Sequence, residues 1–303
     1  MSNPLPSRAL AAPRRRPPLV VAALSFGSAA AYLLWLRLNG GSPSARSSVV
    51  AALFIALDLV LVMLFRRAAA NPELSAGTAR ALRYLAAAAG VAIVGRSFAL
   101  YSLVAGGSTL GASIADLFLL ASYPLTLAAF LAIPRVPRPT ERLKLAFDAG
   151  MVLCGGGVAL WYFVLRDTAA SGMASPAGVL LALVYPLADL LILVAIVTVL
   201  LRHPADGNRT ATGWLAISAA LGVADDLFRS LLLARGGALG TVWADALHLT
   251  AAIALIVSAE LFLRDPRSGA THHDTAGGSP LVSALPFVAA GVTYALLLVV
   301  ATR

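Results

Sequence analysis

Residues 48–67 read SVVAALFIALDLVLVMLFRR. From 48 to 65 the only charge is Asp58, and Arg66 and Arg67 then stop the run. The hydrocarbon core of a bilayer takes about 20 apolar residues of helix. An apolar run of this length with a basic stop reads as a membrane-spanning helix. Eight further runs share the pattern, at 19–38, 82–104, 110–133, 145–165, 176–201, 212–235, 240–263 and 280–301. Together they predict an all-α polytopic membrane protein of about nine transmembrane helices. A basic tail, 1–18, precedes a single membrane bundle, 19–303. The pieces between the runs are short and leave no room for an extramembrane domain.

Composition agrees. The chain has 303 residues, 59% of them hydrophobic and 12% charged, with a mean hydropathy of +0.85. Soluble domains carry about 25% charged residues, so a soluble enzyme and a disordered chain are both excluded. The net charge is +9. On a soluble chain that would suggest nucleic acid. Here the basic residues flank apolar runs, which points to lipid head groups and topology instead. Cys154 is the only cysteine, so no disulfide forms within the chain and no Cys-rich metal site exists.

The basic residues also set the expected orientation. With the N-terminus in the cytoplasm, 16 of the 23 lie on the cytoplasmic side and 5 outside, while Arg96 and Arg229 fall within helices. Trp35, Trp161, Trp214 and Trp243 lie near run ends, where tryptophan favours the interface. This predicts a multi-pass protein of a bacterial cytoplasmic (inner) membrane. An odd number of helices puts the C-terminus outside, so a cytoplasmic output domain would need one more crossing. Arg14, Arg15 and Arg16 before the first run also fit a cleaved signal peptide. The length of the run and Arg37 at its far end favour a retained helix.

Helices that exit to the cytoplasm end alike, around Pro72, Pro137, Pro204 and Pro266. Tyr-Pro-Leu occurs at Tyr123-Pro124-Leu125 and again at Tyr185-Pro186-Leu187. A two-helix hairpin repeat fits both patterns; the plain alternative is that any polytopic protein ends its helices with arginine and proline. Proline inside a helix removes a backbone hydrogen bond, which either serves packing alone or opens a cavity.

Eight of the 14 acidic residues sit within the runs: Asp58, Asp116, Asp148, Asp189, Asp225, Asp226, Asp245 and Glu260. Such residues are costly in a bilayer and face a bundle interior or a wet cavity. Asp148 and Glu260 lie near cytoplasmic ends, where they can reach water. The candidate set lies in the outer half. Arg96 and Asp116 fall at similar depth on consecutive helices and fit an ion pair. Asp225 and Asp226 are placed so that Arg229 can reach either. Asp245 and His248 share a helix face at comparable depth. Tyr123, from the first Tyr-Pro-Leu, completes the set. Four carboxylates face two arginines, so two can be protonated, pair with protonated His248, or hold a cation. The plain reading is structural glue between helices. The sharper one is an outward-facing ligand-binding pocket for a small molecule, a cation or a proton.

No phosphate-binding Gly loop, H-E-x-x-H zinc motif or other catalytic motif occurs. Gly155-Gly156-Gly157 reads as close helix packing. His272-His273 stands alone in a loop. The expectations are no enzyme activity, no metal, no cofactor and no nucleic-acid partner. Lys144 lies at the start of a run rather than mid-helix, against a retinal pigment.

The stretch Ala115-Asp116-Leu-Phe-Leu-Leu-Ala-Ser-Tyr123-Pro124-Leu125 resembles a recurring segment of actinobacterial membrane proteins. So does the basic Pro-Arg link followed by Arg142-Leu-Lys-Leu-Ala-Phe-Asp148-Ala. In that family a multi-helix N-terminal module precedes GGDEF and EAL cyclic-di-GMP domains, or in some relatives a kinase. The resemblance covers roughly 80–265. It implies a sensory module in signal transduction, coupled to a cytoplasmic domain or partner. The chain departs from the family in having no GGDEF or EAL motif; Ala259-Glu260-Leu261 is part of a helical run. A small-solute or proton-coupled transporter is the second reading, and it calls for Asp58, Asp189 or Asp148 along a path to both faces. A lipid-modifying enzyme built around His248 is the third.

Overall fold

The computed structural model describes residues 20–38, 41–105, 109–133, 209–234 and 241–264, with isolated helical positions between 155 and 195. The described residues are helical throughout, without strands. Six long helices are present: α1 (Val20–Arg37), α2 (Pro43–Ala69), α3 (Ala76–Val104), α4 (Thr109–Ala132), α5 (Arg209–Ala234) and α6 (Thr241–Arg264). The expected runs at 145–165, 176–201 and 280–301 lie outside the described residues, apart from the isolated positions, and so does the second Tyr-Pro-Leu.

Five helices, α1 to α4 and α6, are long and apolar enough to cross a membrane. Their apolar side chains also face outward. Leu24, Phe26, Leu34, Leu117 and Leu131 are all exposed. A surface of this kind needs lipid as its solvent, so the chain is a multi-pass membrane protein.

The helices extend beyond the apolar runs because polar caps, not hydropathy, end them. α2 starts at Pro43, behind Ser42, whose side chain accepts from the Ala45 amide at 3.3 Å. Proline suits a first helical position because its missing N–H is not needed there. Ser75 caps α3 in the same way, accepting from the Thr78 amide at 3.2 Å. Between α2 and α3, Asn71 Oδ1 accepts from the Glu73 amide at 3.0 Å and tightens the turn around Pro72. Arg66 and Arg67 close the last turn of α2, where cations favour the helix dipole.

Packing runs α1 on α6, α6 on α5 and α2, α2 on α3, and α3 on α4. α5 and α6 are antiparallel and joined by buried serines. Ser258 Oγ donates to the Ala211 carbonyl at 2.8 Å, and Ser218 Oγ donates to the Ala251 carbonyl at 2.7 Å. Small hydroxyl residues of this kind let membrane helices approach and bond.

The tightest crossing is α3 on α4. A Cβ added at Gly95 would lie 2.9 Å from the Ala115 carbonyl oxygen and 3.2 Å from the Leu119 amide nitrogen. Backbone atoms cannot yield as a flexible side chain can. Gly95→Ala is therefore expected to destabilise by about 1–3 kcal/mol through overpacking, read as a lower thermal midpoint in detergent. An unchanged midpoint would show that the two helices can separate freely.

Candidate functional site

The polar side chains of five helices meet in one connected network. α5 supplies Asp225 and Arg229, one turn apart. Arg229 Nε donates to both Asp225 oxygens at 3.0 and 3.1 Å. α6 supplies Asp245 and His248. Arg229 also donates from its NH2 group to Asp245 Oδ1 at 3.2 Å, closing a bridge between α5 and α6. The other Asp245 oxygen accepts from the Tyr32 hydroxyl of α1 at 2.8 Å.

His248 carries the network onward. Its Nδ1 lies 2.7 Å from Asp225 Oδ2, and its Nε2 lies 2.8 Å from the NH2 nitrogen of Arg96 on α3. Arg96 Nε donates to Asp58 Oδ2 of α2 at 2.8 Å. Phe54, one turn before Asp58, floors this junction. Its ring centroid is 4.3 Å from that of His248, edge to face, and 4.9 Å from the Arg96 guanidinium carbon. Burial grades along the line: the Asp225 side chain is 0% exposed, His248 27% and Arg229 37%.

The hydrogen-bond roles fix one protonation state. A guanidinium only donates, so His248 Nε2 must accept from Arg96. The ring proton then sits on Nδ1 and is donated to Asp225. His248 is neutral in this arrangement. Formal charge follows: Asp58, Asp225 and Asp245 against Arg96 and Arg229 leave one negative charge over.

Adjacent to this lies a smaller group. The Tyr123 hydroxyl of α4 donates to Asp226 Oδ2 at 2.8 Å. Asp189, itself buried, is in hydrogen-bonding contact with Tyr123 and Asp226. Successive helix residues point about 100° apart. Asp225 and Asp226 therefore serve different sides of α5, one toward α6 and α3, the other toward α4 and Asp189.

No family model, curated protein or solved structure matches the chain. Among the described residues, no group of three or more histidines, cysteines or carboxylates could hold a metal ion.

The structure thus brings Arg96, Asp225, Arg229, Asp245 and His248 into one network and pairs Tyr123 with Asp226. The expected Arg96–Asp116 pair is replaced by Arg96–Asp58. The reason is azimuth. Gly95 and Ala115 form the α3–α4 contact, so Arg96, the next residue, is turned toward α2 and α6. Asp116 is half-buried on α4 and has a partner of its own.

Glu260 differs from its expected place in water. It is buried and accepts from the Val21 and Ala22 amides at 3.2 Å each, and from Arg264 at 3.0 Å. Tyr32, Phe54 and Asp58 belong to the site but were not in the expected set. Asp58 had a signal, since it lies near mid-helix at a depth close to that of Arg96. Tyr32 and Phe54 had none, because an aromatic residue in an apolar run is ordinary. Lys144, Asp148, Cys154 and His272-His273 lie outside the described residues.

Proposed function

We propose that this chain is a membrane sensory module whose polar network is the receptive element. The observation that carries the reading is the linkage of five helices through Tyr32, Asp245, Arg229, Asp225, His248, Arg96 and Asp58. A ligand or proton that changes one member acts directly on its bonded neighbours on other helices. Such a network supports transmission across a bundle better than scattered pairs do. The basic-residue count supports placing the N-terminus in the cytoplasm of a bacterial inner membrane, with the network in the outer half. The resemblance to modules that precede GGDEF and EAL domains supports a cytoplasmic output of cyclic-di-GMP type, on this chain's continuation or on a partner.

The test is made in the source cells, on the full gene. Asp225→Asn at the chromosomal locus is expected to change cellular cyclic-di-GMP by about fivefold or more, the effect of a coupling of order 1 kcal/mol. An unchanged level overturns the cyclic-di-GMP output.

One observation favours a transporter as the second reading. Asp58, near the middle of α2, and buried Asp189 join the outer carboxylates. A transporter reading expects protein-dependent proton uptake into liposomes loaded with a pH dye, abolished by Asp58→Asn. A sensor leaves those liposomes proton-tight.

A further inference from the structure

We infer that the ligand of this site is the proton, taken up at Nε2 of His248, and that its uptake releases Arg96 from α6. The inference rests on the sensory reading and names its ligand. His248 Nε2 holds its place only as an acceptor from Arg96 at 2.8 Å. A proton there places two donors and two positive charges face to face. No rotation of the guanidinium repairs this, because all its nitrogens donate.

The remaining contacts determine which link breaks. On the α6 side, protonated His248 keeps Asp225, now as a charged pair at 2.7 Å. Asp225 is also held by Arg229, which bridges to Asp245 and through it to Tyr32. On the other side, Arg96 keeps Asp58 at 2.8 Å and the face of Phe54. Both ends are anchored more firmly than the contact between them. The contact that breaks is therefore the one between Arg96 and His248, and α3 shifts away from α6 while α2 and α5 keep their packing on α6.

Charged and titratable groups on four helices surround His248. Asp58 on α2, Asp225 and Asp226 on α5 and Asp245 on α6 stand against Arg96 on α3 and Arg229 on α5. Tyr32 reaches the set through Asp245. With Asp226 set apart as the partner of Tyr123, the connected network carries one surplus formal negative charge, which one proton cancels. Among the described residues the His248 side chain is 27% exposed and that of Asp225 beside it 0%. Histidine is the side chain whose charge normally changes near neutral pH.

The test is a distance measurement on the full chain in lipid nanodiscs. Spin labels are placed on Leu103→Cys and Val242→Cys, exposed positions near the same end of α3 and α6, with Cys154→Ser to remove the native thiol. Lowering the pH from about 8 to about 5, across the histidine range, is expected to lengthen the α3–α6 distance by about 1–2 Å or more, the scale of interface helix shifts. In His248→Gln the amide oxygen can accept from Arg96 while its NH2 donates to Asp225. That variant should stay at the high-pH distance. Arg96→Gln, which leaves no cation to expel, should also show no shift, and it carries the test if His248→Gln does not fold. A wild-type distance that ignores pH, or a shift that survives in either variant, overturns the inference. The cyclic-di-GMP readout of Asp225→Asn is independent of this result, so a failed proton latch and a failed sensory role are told apart.

Discussion

Replacing Arg229 by methionine is expected to lower the stability of the bundle by roughly 3 kcal/mol, the lower end of the range for orphaning a buried charge. Methionine keeps an aliphatic stem of similar length, so little packing is lost. What is lost is the group that answers two carboxylates. Asp225, with a side chain 0% exposed, would retain only the Nδ1 proton of His248. Asp245 would retain only the Tyr32 hydroxyl. The lower end is chosen because Arg229 itself is 37% exposed and its own desolvation is partial. In detergent the change reads as a fall of about 5–10 °C in apparent melting temperature. Asp225→Asn removes the buried charge while keeping an acceptor oxygen, so its loss should be smaller, about 1–2 kcal/mol. If Arg229→Met melted like the wild type, the α5–α6 bridge would be ornamental and the network reading would lose its centre.

The membrane character and six helices were legible because they depend on long apolar stretches, a property of composition along the chain. The ends were less so, because hydropathy stops at the first polar residue. Ser42 and Ser75 carry the helices one or two turns further. The site divides in the same way. Depth can be counted from a sequence, and counting placed Asp225, Arg229, Asp245 and His248 at one level. Azimuth cannot be counted across helices. Arg96 faces α2 rather than α4 because Gly95 presses α3 onto the backbone of α4, a contact that only packing reveals. Asp58 lies outside the outer-half set by depth, and only the packing shows that Arg96 reaches it. Glu260 shows the complementary limit. Its distance from the membrane centre suggested water, whereas the start of another helix occupies that space.

The hairpin α5–α6 is the centre of the arrangement. It supplies Asp225, Asp226, Arg229, Asp245 and His248, and every other described helix joins the polar groups through it. α1 joins by Tyr32, α2 and α3 through Asp58 and Arg96, and α4 by Tyr123. Its two helices are also bonded to each other by Ser218 and Ser258 deeper in the bundle. A rigid hairpin with other helices tied to its polar end suits a receptive element, because a local change of charge is felt at several helices at once.

The same hairpin holds α1 at its opposite end. The first amides of a helix have no partner within it. At α1 two of them, from Val21 and Ala22, donate to the buried carboxylate of Glu260. That carboxylate also matches the positive end of the α1 dipole and is held in place by Arg264. Tyr32 fixes the other end of α1 to Asp245. A helix fixed at both ends is a component of the described bundle. Glu260→Ala removes the acceptor and leaves the two amides unmatched in a buried place. The expected cost is roughly 2–4 kcal/mol, falling mainly on α1. The checking measurement is thiol labelling of Ser25→Cys, a buried position on α1, in the Cys154→Ser background. Labelling should be slow when Glu260 is present. In Glu260→Ala it should accelerate by about tenfold or more, the rate change that corresponds to 1.4 kcal/mol of local opening. Equal rates in the two proteins would mean that α1 is held by its apolar face alone and that the carboxylate contributes nothing to its anchoring.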